Sequence, residues 1–422
     1  MIQEILKEKI IERKIYLKRI NNFLNTPLIK VLIWARRVGK SSILKKIIQI
    51  NYEKWNFWEN FFYVNKEDLK FDFIKDYLDL QKEFDKFLKK IDKNKKIFVA
   101  IDEVQEIKSW EKFVNSLLSK YKSKIEIFVT WSNSSLLSSD LASLLTWRYI
   151  DFKINPLSFW EFLKFSWKKK SKKEFLKYLE FGWMPWIFET NFSKNAVNWY
   201  LKWVYNSILL KDIVKYFWVK NLDFLETLYK FILVNIWNTF SAKKISDYLK
   251  SQKIKISVDS ILNYLKFWEK AFLINKVKTQ DIESKKIFEV YDKFYIEDLW
   301  IRNSIVGFEL SRDIWKLLEN YVFNVLKFYS YEVKIWRLKV YDKNIWKYKN
   351  LEIDFVATKN WKKKYFQVCY LLNWEETIKR EFWNLELIND SWSKYVVSFD
   401  EIDFWEKNWI KHINIMDLEK VL

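Results

Sequence analysis

At 422 residues and 52.3 kDa, with half of its residues hydrophobic, the chain is long enough for roughly two to four domains. One cysteine, Cys369, and one histidine, His412, exclude a disulfide framework and a Cys/His zinc site, so any metal is expected to be a hard, oxygen-ligated ion such as magnesium. The net charge of +21 invites a nucleic-acid partner, but lysine outnumbers arginine 66 to 9 amid abundant Ile, Asn, Phe and Tyr, which reads more simply as an AT-rich gene than as a phosphate-binding face.

In chain order, an amphipathic helix is expected first, with Ile5, Ile10, Ile15 and Leu17 as its apolar side. Its charges, among them Glu4, Lys7, Glu8 and Lys9, leave no apolar signal core, and no later apolar run is long enough for a bilayer, so a soluble, cytoplasmic protein without membrane contact is expected. The apolar run 29–33 reads as a buried strand, followed by a helix from Ser41 with Ile43, Leu44, Ile47 and Ile48 on one face. Runs 61–64, 97–101 and 125–130 alternate with helical stretches, which predicts an α/β fold with a doubly wound parallel sheet. From 157 to about 220 the pattern is helical. Residues 222–290 then read as helices 222–235, 241–250 and 258–271 and strands 273–277 and 286–290, the order of a winged helix. From 291 a helix carrying Leu317, Leu318, Tyr321 and Leu326 mixes with strands near 331–333, 351–356 and 365–370, a separate α/β unit.

The segment Trp34-Ala35-Arg36-Arg37-Val38-Gly39-Lys40-Ser41 lies between the first predicted strand and its helix. With glycine at 34 it is a G-x-x-x-x-G-K-S phosphate loop. Trp34, Arg36, Arg37, Val38, Gly39, Lys40, Ser41 and Ser42 would then cradle ATP, with Lys40 on the β/γ-phosphates and Ser41 on Mg²⁺. Downstream, the apolar run 97–101 ends in Asp102 and Glu103: Asp102 is expected to hold Mg²⁺ and Glu103 to act as base on the attacking water. The run 125–130 leads to Ser132 and Asn133, candidate sensors of the γ-phosphate, and Arg148 is a candidate arginine finger, in cis or in trans. A surface ion pair is an equally good reading of Arg148.

Three glycines and three prolines are few for 422 residues, while tryptophan numbers 25. Glycine plus tryptophan together make 28, an ordinary glycine content. Several tryptophans stand among turn formers, as Trp361 after Asn360, Trp392 after Ser391, and Trp405 and Trp409 in a polar stretch. The hypothesis that fits is a gene in which UGA means glycine, here written as tryptophan.

The sequence resembles the prokaryotic AAA-type ATPase family whose carboxy-terminal half is a domain of unknown function with a PD-(D/E)xK nuclease-like core. The resemblance is carried by residues 35–41, Asp102-Glu103-Val104-Gln105 with Trp110, 132–134 through 144–148, Pro156-Leu157-Ser158-Phe159 with Glu161-Phe162, 182–185, Lys211-Asp212-Ile213, Glu319-Asn320 and Glu352-Ile353-Asp354-Phe355. In that family's pattern 34, 131, 147, 183 and 315 are glycine, whereas Trp110 matches a tryptophan. The resemblance implies an ATP hydrolase domain at 1–156, a helical lid at 157–220, a winged helix at 221–290 and a nuclease-like domain at 291–422. It implies either a nucleotide-driven conformational switch or an ATP-gated DNA-binding protein, with a protein partner or self-association open to both. The winged helix carries only Lys266 and Lys270 against Asp259 and Glu269 on its second helix of the turn, which favours an internal lever over base readout. In the last domain Glu319, Glu352 and Asp354 supply carboxylates, but Gln367-Val368-Cys369 replaces the acid-x-lysine step, so nuclease activity is not expected. Glu376 and Arg380, four apart on a helix, read as a structural salt bridge.

Overall fold

The computed structural model describes residues 2–34, 37–55, 58–132, 144–145, 148–182, 184–190, 194–207, 222–236, 242–251, 254, 256–281, 292–342, 347–372, 375–401 and 409–422. The chain forms two units: Met1–Leu157 with Met184–Trp186, and Ser158–Trp183 with Ile187–Leu422. Among the described residues no helix is long and apolar enough to cross a membrane.

The first unit is built on five parallel strands, β1 (Ile29–Ile33), β2 (Phe61–Asn65), β3 (Ile97–Asp102), β4 (Ile125–Trp131) and β5 (Tyr149–Lys153), in the order β2-β3-β4-β1-β5. Parallel strands covered by helices on both faces are apolar along their whole length rather than alternating. Accordingly β3 and β4 are buried at every position. Helices Lys40–Trp55, Tyr77–Leu88 and Trp110–Tyr121 supply the crossovers. Because β1 sits between β4 and β5 instead of beside β2, the strand order reverses at β1, and in open α/β sheets ligands bind at the carboxyl ends of the strands next to such a reversal. The opposite edge is tied by structural charges: Lys30 and Glu126, both fully buried, form an ion pair, and Glu126 also accepts from Asn25 N at 2.9 Å.

The single amino-terminal helix expected from periodicity is instead two short ones, Ile2–Lys7 and Lys14–Asn21. Arg13 caps the second of them, and its buried guanidinium donates to Val38 O at 3.1 Å and to Pro156 O at 3.0 Å while lying 4.6 Å from the Tyr16 ring, which satisfies those carbonyls.

The second unit carries helices Phe159–Ser166, Lys172–Phe181, Lys194–Ser207, Leu222–Val234, Ala242–Ser251 and Val258–Lys270, then strands β6 (Ile274–Asp281) and β7 (Asp292–Ile296). Helices Leu299–Val306 and Leu310–Phe328 follow, then β8 (Glu332–Asp342), β9 (Lys347–Lys359), β10 (Lys362–Val368), helix Glu375–Glu386, β11 (Ser393–Ser398) and β12 (Ile410–Asn414). One mixed sheet of seven strands runs β12-β11-β10-β9-β8-β6-β7. Since β6 pairs antiparallel with β7 and parallel with β8, the first strand read as a wing extends the sheet of the last α/β region. The strand expected at 286–290 falls outside the described residues. Arg380 bonds its neighbour Glu381 at 2.6 Å rather than Glu376, because the Glu381 carboxylate is buried and gains more from a guanidinium than a solvated one does.

The tryptophans range from fully buried to almost fully exposed. Trp110 is buried and meets Trp131 edge-on at 5.4 Å. By contrast Trp167, Trp361 and Trp409 adopt left-handed φ of 55°, 64° and 66° with 78%, 93% and 85% of their surface in solvent. A large side chain gains nothing by exposure and is disfavoured at positive φ, both of which suit glycine.

Candidate functional site

At the carboxyl ends of β1, β3 and β4 the structure gathers Lys40, Ser41, Asp102, Glu103 and Ser132. The Lys40–Trp55 helix starts from Gly39, whose φ of 92° lets the loop turn into the helix axis. Lys40 is buried, and its ammonium donates to Trp34 O at 3.0 Å, folded back on the loop it serves. The Ser41 side chain hydrogen-bonds the Asp102 carboxylate. A hydroxyl and a carboxylate meeting beneath a loop-to-helix turn are an oxygen donor pair that would suit Mg²⁺, and the positive end of the helix would favour phosphates there, so the residues fit the ion.

Thr130, one residue before the end of β4, joins the two carboxylate residues. Its hydroxyl donates to Asp102 Oδ1 and accepts from the Glu103 backbone N–H at 2.8 Å. Tyr63 on β2 reaches the other Asp102 oxygen at 3.4 Å. Glu103 then turns sharply, at a φ of 56°, and its carboxylate accepts from Ser132 Oγ and from Gln105 Nε2. A non-glycine residue in that region carries a strain of about 1–3 kcal/mol, which the contacts around Glu103 offset. Neither Thr130 nor Gln105 was singled out for a role in the sequence.

Burial, with the neighbouring Glu103 adding to it, pushes the Asp102 carboxyl up to about 6, against the hydrogen bonds from Thr130 and Ser41 and the charge of Lys40. A carboxyl raised in the folded state contributes stability that is present below the ordinary carboxylate range and lost as pH rises through about 6. A bound Mg²⁺ needs the ionised form and relieves that cost. Mg·ATP affinity is therefore expected to be constant above pH 7 and to weaken by up to about tenfold per unit below pH ~6, as one proton competes with the metal. Titration with a fluorescent ATP analogue, corrected by the same series in EDTA, checks this; a metal-dependent affinity flat down to pH 5 counts against Asp102 as a ligand.

The other expected residues are placed differently. Arg36 and Asn133 lie outside the described residues. Arg37 has a φ of 68° in the loop, and Ser42 is exposed on the helix that follows. Arg148 stands at the far edge of the sheet: its carbonyl accepts from Ile29 N at 2.9 Å, and β1 and β5 pair in register from Ile29 and Tyr149. The phosphate loop leaves the other end of β1, about 13 Å away at ~3.3 Å per residue. This places Arg148, which is exposed, out of reach of the phosphate loop of its own chain, against an arginine finger in cis.

In the second unit the carboxylates Glu319, Glu352 and Asp354 do converge, and a lysine joins them from a strand not considered for it. Lys293 on β7, itself buried, lies 3.1 Å from Glu319 and 2.5 Å from Glu352. Burial pulls Lys293 down, but Glu319, Glu352 and Asp354 together outweigh it and hold the ammonium charged. Asp354 is pushed well above the carboxylate range by burial and by Glu319. An ammonium held among these carboxylates offsets their charge from within the cluster. Among the described residues no group of three or more acidic, His or Cys side chains is arranged to hold a metal.

Residues 26–163 match the AAA domain family, and residues 172–312 match a domain of unknown function. An uncharacterized protein of Haemophilus influenzae is 30% identical over 417 residues, covering 98% of this chain and 99% of that one. An uncharacterized protein of Methanocaldococcus jannaschii is 34% identical over 385 residues, 87% of this chain and 79% of the relative. Among solved structures, a Walker-type ATPase of Pyrococcus abyssi aligns over 70% of this chain and 96% of its own at 17% identity, with a TM-score of 0.45. The chain belongs to the family of these two relatives, and its residues 26–163 form an AAA domain.

Proposed function

We propose that the first unit binds and hydrolyses Mg·ATP and that its nucleotide state acts as a conformational switch on the second unit. Lys40 neutralises the phosphates, Ser41 and Asp102 hold Mg²⁺, and Glu103 takes the proton of the attacking water. Bound there, the ion would draw charge from the phosphate oxygens. The observation that carries the switch reading is the path of the chain at Pro185. Residues Met184–Trp186 belong to the first unit although the residues on both sides belong to the second, and the Pro185 ring lies 3.6 Å from where a side chain on Gly39 would begin. Any shift of the phosphate loop is therefore felt by a segment covalently tied, at both ends, to the second unit.

The test uses the full chain with Trp34→Gly. At 100 times its Kd, Mg·ATP is expected to stabilise the protein by about 2.7 kcal/mol, read as a raised melting temperature, and Lys40→Met is expected to abolish the effect. Hydrogen exchange in residues 184–190 is expected to change with nucleotide, and an unchanged pattern overturns the switch. Adding DNA to the turnover assay tests the rival reading of an ATP-gated DNA-binding protein, which requires stimulation that falls steeply with salt.

A further inference from the structure

We propose that Gln105 positions the attacking water for hydrolysis, its amide nitrogen anchoring Glu103 and its carbonyl oxygen receiving a hydrogen of the water. The inference rests on the ATPase reading above and adds a residue to that site.

Gln105 sits on the single turn Val104–Glu106 that follows the left-handed Glu103, and this reversal brings side chains two residues apart onto one side. Its Nε2 donates to Glu103 Oε2 and to Ser132 Oγ, the latter at 3.2 Å, while Ser132 Oγ donates to the same Glu103 oxygen. The three side chains thus form a closed triangle at the ends of β3 and β4. The triangle fixes which way the amide faces: turned over, its carbonyl would oppose the Glu103 carboxylate, acceptor against acceptor. With that orientation set, Gln105 Oε1 is buried and accepts from no donor among the described residues. Glu103 Oε1 takes no part in these bonds either. A buried carbonyl left without a donor costs about 1–3 kcal/mol, so a site that keeps one beside its catalytic base has reason to.

These two oxygens match the two hydrogens of one water molecule. One O–H points to Glu103 Oε1 and the other to Gln105 Oε1, which leaves the lone pairs of the water oxygen free to face the γ-phosphorus. In the reaction that oxygen bonds to phosphorus, the bond from phosphorus to the β–γ bridging oxygen breaks with its electron pair staying on ADP, and a water proton passes to Glu103. Gln105 exchanges no proton; it is a positioning residue, the part that a glutamine amide also plays toward the attacking water in GTPases. Ser132 completes the arrangement by holding Glu103 from the strand tip.

The experiment compares the full chain carrying Trp34→Gly with the same chain carrying in addition Gln105→Leu, which keeps the volume and removes both amide functions, or Gln105→Asn, which keeps the amide on a shorter arm. Both are expected to lower kcat by about 10- to 100-fold, Leu more than Asn, with ATP affinity and melting temperature within about twofold and a degree or so of the parent. Binding of ADP with aluminium fluoride, which requires a placed water, is expected to weaken at least tenfold for Gln105→Leu while binding of a non-hydrolysable ATP analogue does not. Unchanged kcat, or equal losses of ground-state and transition-state analogue binding, overturns the positioning role. A parent that binds ATP but does not turn it over also overturns it, and a parent that binds no nucleotide overturns the ATPase reading itself.

Discussion

Glu103→Gln is expected to lower ATP turnover by about 10²- to 10⁴-fold while leaving Mg·ATP binding within about twofold of the parent, the range that a positioned general base contributes. The geometry favours so clean a separation. The glutamine keeps the shape of the side chain, and the backbone N–H that Thr130 accepts at 2.8 Å is untouched, so the loop and the Asp102 carboxylate stay where they are. What is lost is the capacity to take a proton. Ser132 Oγ can donate to an amide oxygen as it does to the carboxylate, whereas the charge facing the water disappears. Phosphate release under saturating ATP, set beside equilibrium binding of a fluorescent analogue, measures the two quantities separately. Turnover within threefold of the parent would remove Glu103 from the mechanism. Loss of binding together with turnover would make it a structural residue.

Much of this site was readable in the residues because its signals are local. A glycine-lysine-serine step between a strand and a helix, and an acidic pair ending an apolar run, are short patterns whose chemistry depends on neighbours in the chain. The strands around them were legible for the same reason, since β1, β3 and β4 are buried along nearly their whole length and need no alternation to be recognised. What was not legible depends on register and on sheet order. Thr130 clamps Asp102 only because β3 and β4 are paired neighbours, and nothing in the run 125–130 says which strand lies beside it. Arg148 was placed at the site by type and spacing, but the parallel pairing of β5 with β1 carries it to the far edge. Lys293 was missed because its partners, Glu319 and Glu352, are 26 and 59 positions further along the chain, and a buried ion cluster leaves no periodic trace. β11 and β12 escaped as well, being short and separated from each other by a polar stretch.

Trp34→Gly is expected to tighten Mg·ATP binding by about 10- to 100-fold, corresponding to relief of the ~1–3 kcal/mol typical of an overfilled site. Trp34 has a φ of 158° and a buried side chain, with the Lys153 ammonium 5.8 Å from its ring, at the one place where a phosphate loop needs its backbone close to the ligand. Two readings of this residue predict opposite signs for stability. If the indole is a genuine core side chain, its removal opens a cavity and costs about 3–5 kcal/mol, with a falling melting temperature. If glycine is native at this position, the melting temperature holds or rises, because backbone strain is relieved and the loop packs as selected. Trp131 strengthens the second reading: it is buried at the tip of β4, and its indole N–H meets no acceptor among the described residues. The decisive measurement is the mass of the tryptic peptide 31–36 from protein made in its own host. Glycine there would mean that the left-handed, solvent-exposed positions 167, 361 and 409 are glycine for the same reason; tryptophan there would end the recoding hypothesis and require the phosphate loop to work around an indole.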